Sequence, residues 1–124
     1  MASAPGAREP ITFSNTFPGV DPCSPAGDPE QHMTTISGTI WIQDLPGGNR
    51  VAHWERTITT DSGYEGRGRR TVVTNGGIFK LTNMDVVSHP DGRRFLARGV
   101  RVVDLTTDPA TTRVARGEFI CIRD

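Results

Sequence analysis

His53 and Glu55 stand two positions apart, as do Arg116 and Glu118. On a strand that spacing puts both members of a pair on one face. A carboxylate beside a histidine raises the imidazole pKa, which suits general acid–base work. A carboxylate beside an arginine forms an ion pair or polarises a ligand carbonyl. An arginine in a cavity can hold a carboxylate or enolate in bidentate fashion. Glu118, Arg101 and Tyr64 are the catalytic candidates on this reading, with Arg116 as a second partner for Glu118. The plainer alternative is an internal structural salt bridge. The His53–Glu55 face reads as solvent-side, which argues against catalysis there.

Other chemistries find little footing. Gly66-Arg67-Gly68-Arg69-Arg70 has the look of a nucleic-acid patch, but it is short, lies inside a strand pattern and has Glu65 beside it. The chain carries 14 basic and 14 acidic residues, so there is no basic field to hold a polyanion or an anionic membrane. Lys80 is the only lysine, and the arginine enrichment reads most simply as a GC-rich coding bias. No phosphate-binding glycine loop and no nucleophile-elbow serine is present. His32, His53 and His89 lack metal-ligand spacing, so neither a metal nor a cofactor is expected. No apolar run approaches the ~18–20 residues that span a bilayer, so no membrane insertion is expected.

The elements that position these residues are strands. Turn signals recur at Pro46-Gly47-Gly48-Asn49, Asp61-Ser62-Gly63, Asn75-Gly76-Gly77, Pro90-Asp91-Gly92 and Asp108-Pro109-Ala110. Between them lie alternating segments of about 11–15 residues rich in Val, Ile, Thr and aromatics. None has a sustained helical period. At about 3.3 Å per residue such strands run roughly 35 Å, long for a sandwich and suited to an up-and-down barrel. The prediction is an all-β, antiparallel barrel of seven or eight strands. Residues 1–30 form a Pro-rich lead-in with one short strand near Ile11-Thr12-Phe13. Residues 31–124 complete a single domain. Phe17 to Pro29 is too proline-rich for a central strand. Gly38 is expected to bend the first long strand so that it serves in two places.

Alternation then assigns faces. Ala52, Trp54, Arg56 and Ile58 share one side. Tyr64, Gly66, Gly68, Arg70 and Val72 share another, as do Phe95, Ala97, Gly99, Arg101, Val103 and Leu105. Val114, Arg116, Glu118, Ile120 and Ile122 form the corresponding set near the C-terminus. Each apolar face carries charge near its middle, which a solid core penalises and a wet or ligand-filled interior accepts. The predicted ligand-binding set is Trp54, Arg56, Tyr64, Arg70, Phe95, Arg101, Arg116 and Glu118. A one-residue register error would turn every one of these outward.

Cys23 and Cys121 are the only cysteines, 98 positions apart and in no metal or redox motif. The prediction is a disulfide clasping the Pro-rich lead-in to the last strand; the alternative is two unrelated buried thiols. A disulfide implies an oxidising compartment. Residues 2–10 lack a basic n-region and an apolar h-region and read as the small, Pro-rich start of a mature exported protein with a Met added. Secretion or a cell-surface location is therefore expected.

Asp21-Pro22-Cys23, then Thr35-Ile36-Ser37-Gly38-Thr39, then Glu65-Gly66-Arg67-Gly68-Arg69 and the closing Phe119-Ile120-Cys121 are familiar together. They resemble small exported actinobacterial proteins with an N/D-P-C … G-T opening and a terminal cysteine. Their architecture is similar to the allene oxide cyclase-like, or calycin-like, eight-stranded barrel. The resemblance covers roughly residues 11–123 and carries over no catalytic residue. It implies a barrel with an apolar pocket, on the pattern of relatives that bind small hydrophobic molecules or guide polyketide-type cyclisations.

Two functions are therefore expected. One is a β-barrel that binds a small apolar or amphipathic molecule, with a homodimer left open. The other is a cofactor-free cyclase or isomerase of natural-product assembly, cytoplasmic in that case. Trp54 and Tyr64 would be its walls, and an arginine or Glu118 would polarise the substrate.

Overall fold

The computed structural model describes residues 6–122. The lead-in around Met1, residues 1–5, lies outside the described residues. Seven strands follow one another as hairpins: β1 (Ile11–Val20), β2 (Gln31–Leu45), β3 (Asn49–Thr60), β4 (Glu65–Asn75), β5 (Ile78–Ser88), β6 (Arg94–Asp104) and β7 (Thr111–Ile122). They form one antiparallel sheet in sequence order. The expected all-β meander is present, and each of the five turn signals falls at a junction between strands, Asn49 and Asn75 being the terminal residues of β3 and β4. Gly76 and Gly77 show why: their φ values of 59° and 79° fit a two-residue hairpin that L side chains resist. The strand order ends at β1 and at β7, and no ladder joins those two edges among the described residues.

The N-terminal strand is longer than expected. β1 runs through Pro18, which sits opposite Met33 of β2. An edge strand tolerates this because the missing N–H can face away from its single neighbour. β2 runs unbroken through Gly38, pairing with β1 over Gln31–Ile40 and with β3 over Thr34–Leu45. A Cβ at Gly38 would fall 1.9 Å from the Glu55 carbonyl oxygen, so the glycine permits a close approach of β3.

Register lines the strands up in rows across one face. One row reads Asn15, Ile36, Ile58, Gly66, Val87, Phe95, Cys121. The next reads Phe13, Gly38, Arg56, Gly68, Asp85, Ala97, Phe119. A third holds Trp54, Arg70, Asn83 and Gly99. The first row supplies the core, where Ile58, Val87 and Phe95 pack with Tyr64 and Cys23, flanked by Ile36 and Cys121. Gly66 lies between Ile58 and Val87, and its absent side chain lets them meet: a Cβ there would sit 2.5 Å from Val87 Cγ1.

Cys23, in the β1–β2 connection, is bonded to Cys121 of β7, with the two Cα atoms 5.1 Å apart. The sheet therefore curls until its first connection reaches its last strand. The paired face is the concave one.

A polar plug closes the same end. Tyr64 is fully buried and stacks edge-on against Phe95 and His89, with ring centroids 5.0 and 5.2 Å away. Its hydroxyl donates to Asp21 Oδ1 at 2.8 Å, and the Cys23 backbone N–H donates to the same oxygen. Arg93 donates to Asp21 Oδ2 and lies over the Tyr64 ring. Burial, and then the bond to Asp21, push the phenol pKa up to about 12.

Candidate functional site

A cavity of about 590 Å³ lies on the concave face. Its apolar wall comes from Phe17, Ile36, Ile58, Val87, Phe95 and Phe119. Its polar floor is Arg56, Arg70, Asn83 and Asp85, from three adjacent strands. An apolar enclosure with a few convergent polar groups is the usual form of a small-molecule site.

The floor is built around one glycine. Arg56 of β3 and Asp85 of β5 both stand opposite Gly68 of β4. With no side chain between them, the Arg56 Nη2 donates to Asp85 Oδ2 over the top of β4. A Cβ on Gly68 would fall 1.6 Å from Asp85 Oδ1. Both residues of the pair are 7% exposed, so solvent screens it little. Polar atoms are left over all the same: Arg56 Nε, Arg70 Nε and Asp85 Oδ1 are buried and have no hydrogen-bond partner. Burial, and then repulsion from Arg56, hold the Arg70 pKa below the ordinary guanidinium value.

Several expected site residues stand elsewhere. Arg56, Arg70 and Phe95 line the cavity. Trp54 shares their face, opposite Arg70, yet is not among the cavity-lining residues. Tyr64 belongs to the end plug, its hydroxyl already committed to Asp21. Arg101 follows the same strand parity as Phe95 but is exposed.

Glu118 and Arg116 lie on the opposite face. The reason is the disulfide: Cys121 must point inward to meet Cys23, so alternation turns Phe119 and Gly117 inward and Glu118 and Arg116 outward. Glu118 pairs across the sheet with Arg98, each about half exposed, and not with Arg101 or Arg116.

Asp85 and Asn83 escaped the sequence reading. β5 offers no single apolar face, because Met84 and Val86 alternate with Leu81 and Val87. The available signal was Leu81-x-Asn83-x-Asp85-x-Val87, a polar centre between apolar ends like that of β3.

His53 and Glu55 do face outward. The His53 Nε2 is 3.9 Å from Glu55 Oε1, and Nδ1 is 3.4 Å from Thr71 Oγ1. His32 and His89 converge on Ser62, at its hydroxyl and its carbonyl respectively. A wider depression of about 830 Å³ occupies the outer face over Gly38 and Gly68. Glu55, Arg67, Arg69 and Met84 in its walls are exposed, and the buried Arg56 also borders it. The concave cavity is the one with the larger apolar wall and buried, unpartnered polar atoms on Arg56, Arg70 and Asp85.

Comparison with family models, with curated proteins and with solved structures finds no match. No helix among the described residues is long and apolar enough to cross a membrane.

Proposed function

We propose that this chain binds a small, partly apolar molecule against its concave face. The observation that carries the reading is the set of unpartnered, buried polar atoms on Arg56, Arg70 and Asp85 beneath an apolar wall. Leaving such atoms unpaired costs on the order of 1–3 kcal/mol each, and a ligand that bonds to them recovers it. The curled sheet is read as the wall of a barrel of the calycin-like kind. Long consecutive hairpins and the bond between first connection and last strand support that reading. The same disulfide supports a place outside the cytoplasm.

A second reading, a cofactor-free cyclase or isomerase, draws on the two buried Nε–H donors. Fixed donors in a dry site stabilise a developing enolate. The test of the first reading is native mass spectrometry with a panel of lipophilic small molecules. Uptake of one ligand per chain, lost when Ile58 is changed to Asp, is the expected result. A protein that takes up none of them would refute the reading.

A further inference from the structure

The inference rests on the ligand-binding reading and specifies the ligand's charge. The cavity floor holds two guanidinium groups, Arg56 and Arg70, and one carboxylate, Asp85. Two positive charges less one negative leaves one positive. Arg56 is answered by Asp85. Arg70 forms no ion pair among the described residues, and its Nε is buried without a partner. Its ladder neighbours, Trp54 and Asn83, are both uncharged. Arg70 is half-buried, and Asp85, whose charge attracts it, is already paired with Arg56. A partly desolvated cation short of a counterion is costly, and the ordinary remedies are a partner anion or loss of the proton. Arginine does not lose its proton in this range, which leaves the anion.

We propose that the ligand is an amphipathic monoanion, a fatty or aryl carboxylate, whose head group binds Arg70 and the free Nε–H of Arg56. Its apolar body lies against Phe17, Ile36, Ile58, Val87, Phe95 and Phe119. The planar fork of a guanidinium fits a carboxylate in bidentate fashion. Asp85 sets the limit on charge. It neutralises one arginine and repels a second negative charge, so a dianionic phosphate head fits less well than a carboxylate.

The experiment is calorimetric titration of the disulfide-intact protein with dodecanoate, dodecanol and dodecyl phosphate, which share one tail. Dodecanoate is expected to bind about tenfold or more tightly than dodecanol, the worth of a hydrogen bond to a charged group. Arg70→Gln should remove most of the preference for dodecanoate over dodecanol. Arg70→Lys should keep part of the preference, and it serves as the test if the glutamine variant does not fold. Asp85→Asn should widen the preference, because the floor then carries two unopposed positive charges. Arg69→Gln, on the outer face, should change nothing. Equal binding of dodecanoate and dodecanol by the unaltered protein overturns the monoanion and leaves the ligand-binding reading standing. Tighter binding of dodecyl phosphate than dodecanoate overturns it too. Binding of none of the three overturns both this inference and the reading beneath it.

Discussion

Arg56 and Asp85 meet across a strand to which neither belongs. Gly68 of β4 stands between them in the ladder and contributes no side chain, so the ion pair closes over its backbone. Three adjacent strands thereby share one buried polar contact, which also forms the floor of the cavity.

Gly68→Ala should part that pair. The new Cβ would lie 1.6 Å from Asp85 Oδ1 and 3.0 Å from the Met84 carbonyl oxygen, so the carboxylate must move. Overpacking together with a weakened buried ion pair predicts a loss of roughly 2–4 kcal/mol in urea unfolding. Gly27→Ala, with nothing within 4 Å of the added methyl, should stay within about 0.5 kcal/mol of the parent. Equal stability of the two variants would refute the steric role of Gly68.

Arg56→Met should strand Asp85 as an unpaired buried carboxylate, costing about 3–5 kcal/mol. Replacing both members, Arg56→Met with Asp85→Leu, should recover most of that loss. The measurement is a double-mutant cycle of chemical denaturation. If the two single costs simply add, the pair is not coupled as the geometry requires.

Tyr64 gives the protein an alkaline limb of stability. Its folded pKa of about 12 exceeds the ordinary phenol value of about 10. The unfolded chain therefore releases this proton first, and stability falls as pH rises between those values. The contribution is fully present below about pH 10 and gone above about 12. Tyr64→Phe should cost about 1–2 kcal/mol at neutral pH through the lost bond to Asp21. The gap between variant and parent should close across that alkaline range. A constant gap would show that the phenol does not titrate as described.

Removal of both cysteines should be costly. The bond closes a sequence separation of 98 residues, for which chain entropy alone gives roughly 4–5 kcal/mol. Thiol titration of the native, unreduced protein should find no reactive group. Two titratable thiols there would refute the bond.

Glu118→Gln should be nearly silent. The Arg98–Glu118 pair is about half exposed on both sides, and exposed pairs of this kind are worth about 0.2–1 kcal/mol. Ligand uptake should not change. A variant that abolished uptake would return Glu118 to the cavity and contradict the strand parity found here.

Much of this architecture is legible in the chain itself. The hairpins are local events: glycines such as Gly76 and Gly77 can occupy left-handed backbone, and alternation between them marks strands. Which residues of β3 and β4 share a face is likewise a local matter. Only two cysteines exist, so their pairing needs no choice among connectivities.

The inner face of β5 and β7 was decided by tertiary structure. Alternation fixes which residues lie together but not which set turns inward. In β7 the choice is made by Cys121 reaching Cys23, and the register shift at Val102–Val103 leaves Arg113 without an opposite residue in β6. In β5 it is made by Asp85 standing opposite Gly68. The partner of Arg56 lies 29 residues away and two strands over, a contact that no local pattern encodes. Sequence alone determined the six long strands, the turns and the clasp, though not the length of β1. The curl of the sheet decided which charges it encloses, because only folding removes Arg56, Asp85 and the Arg70 Nε from water together.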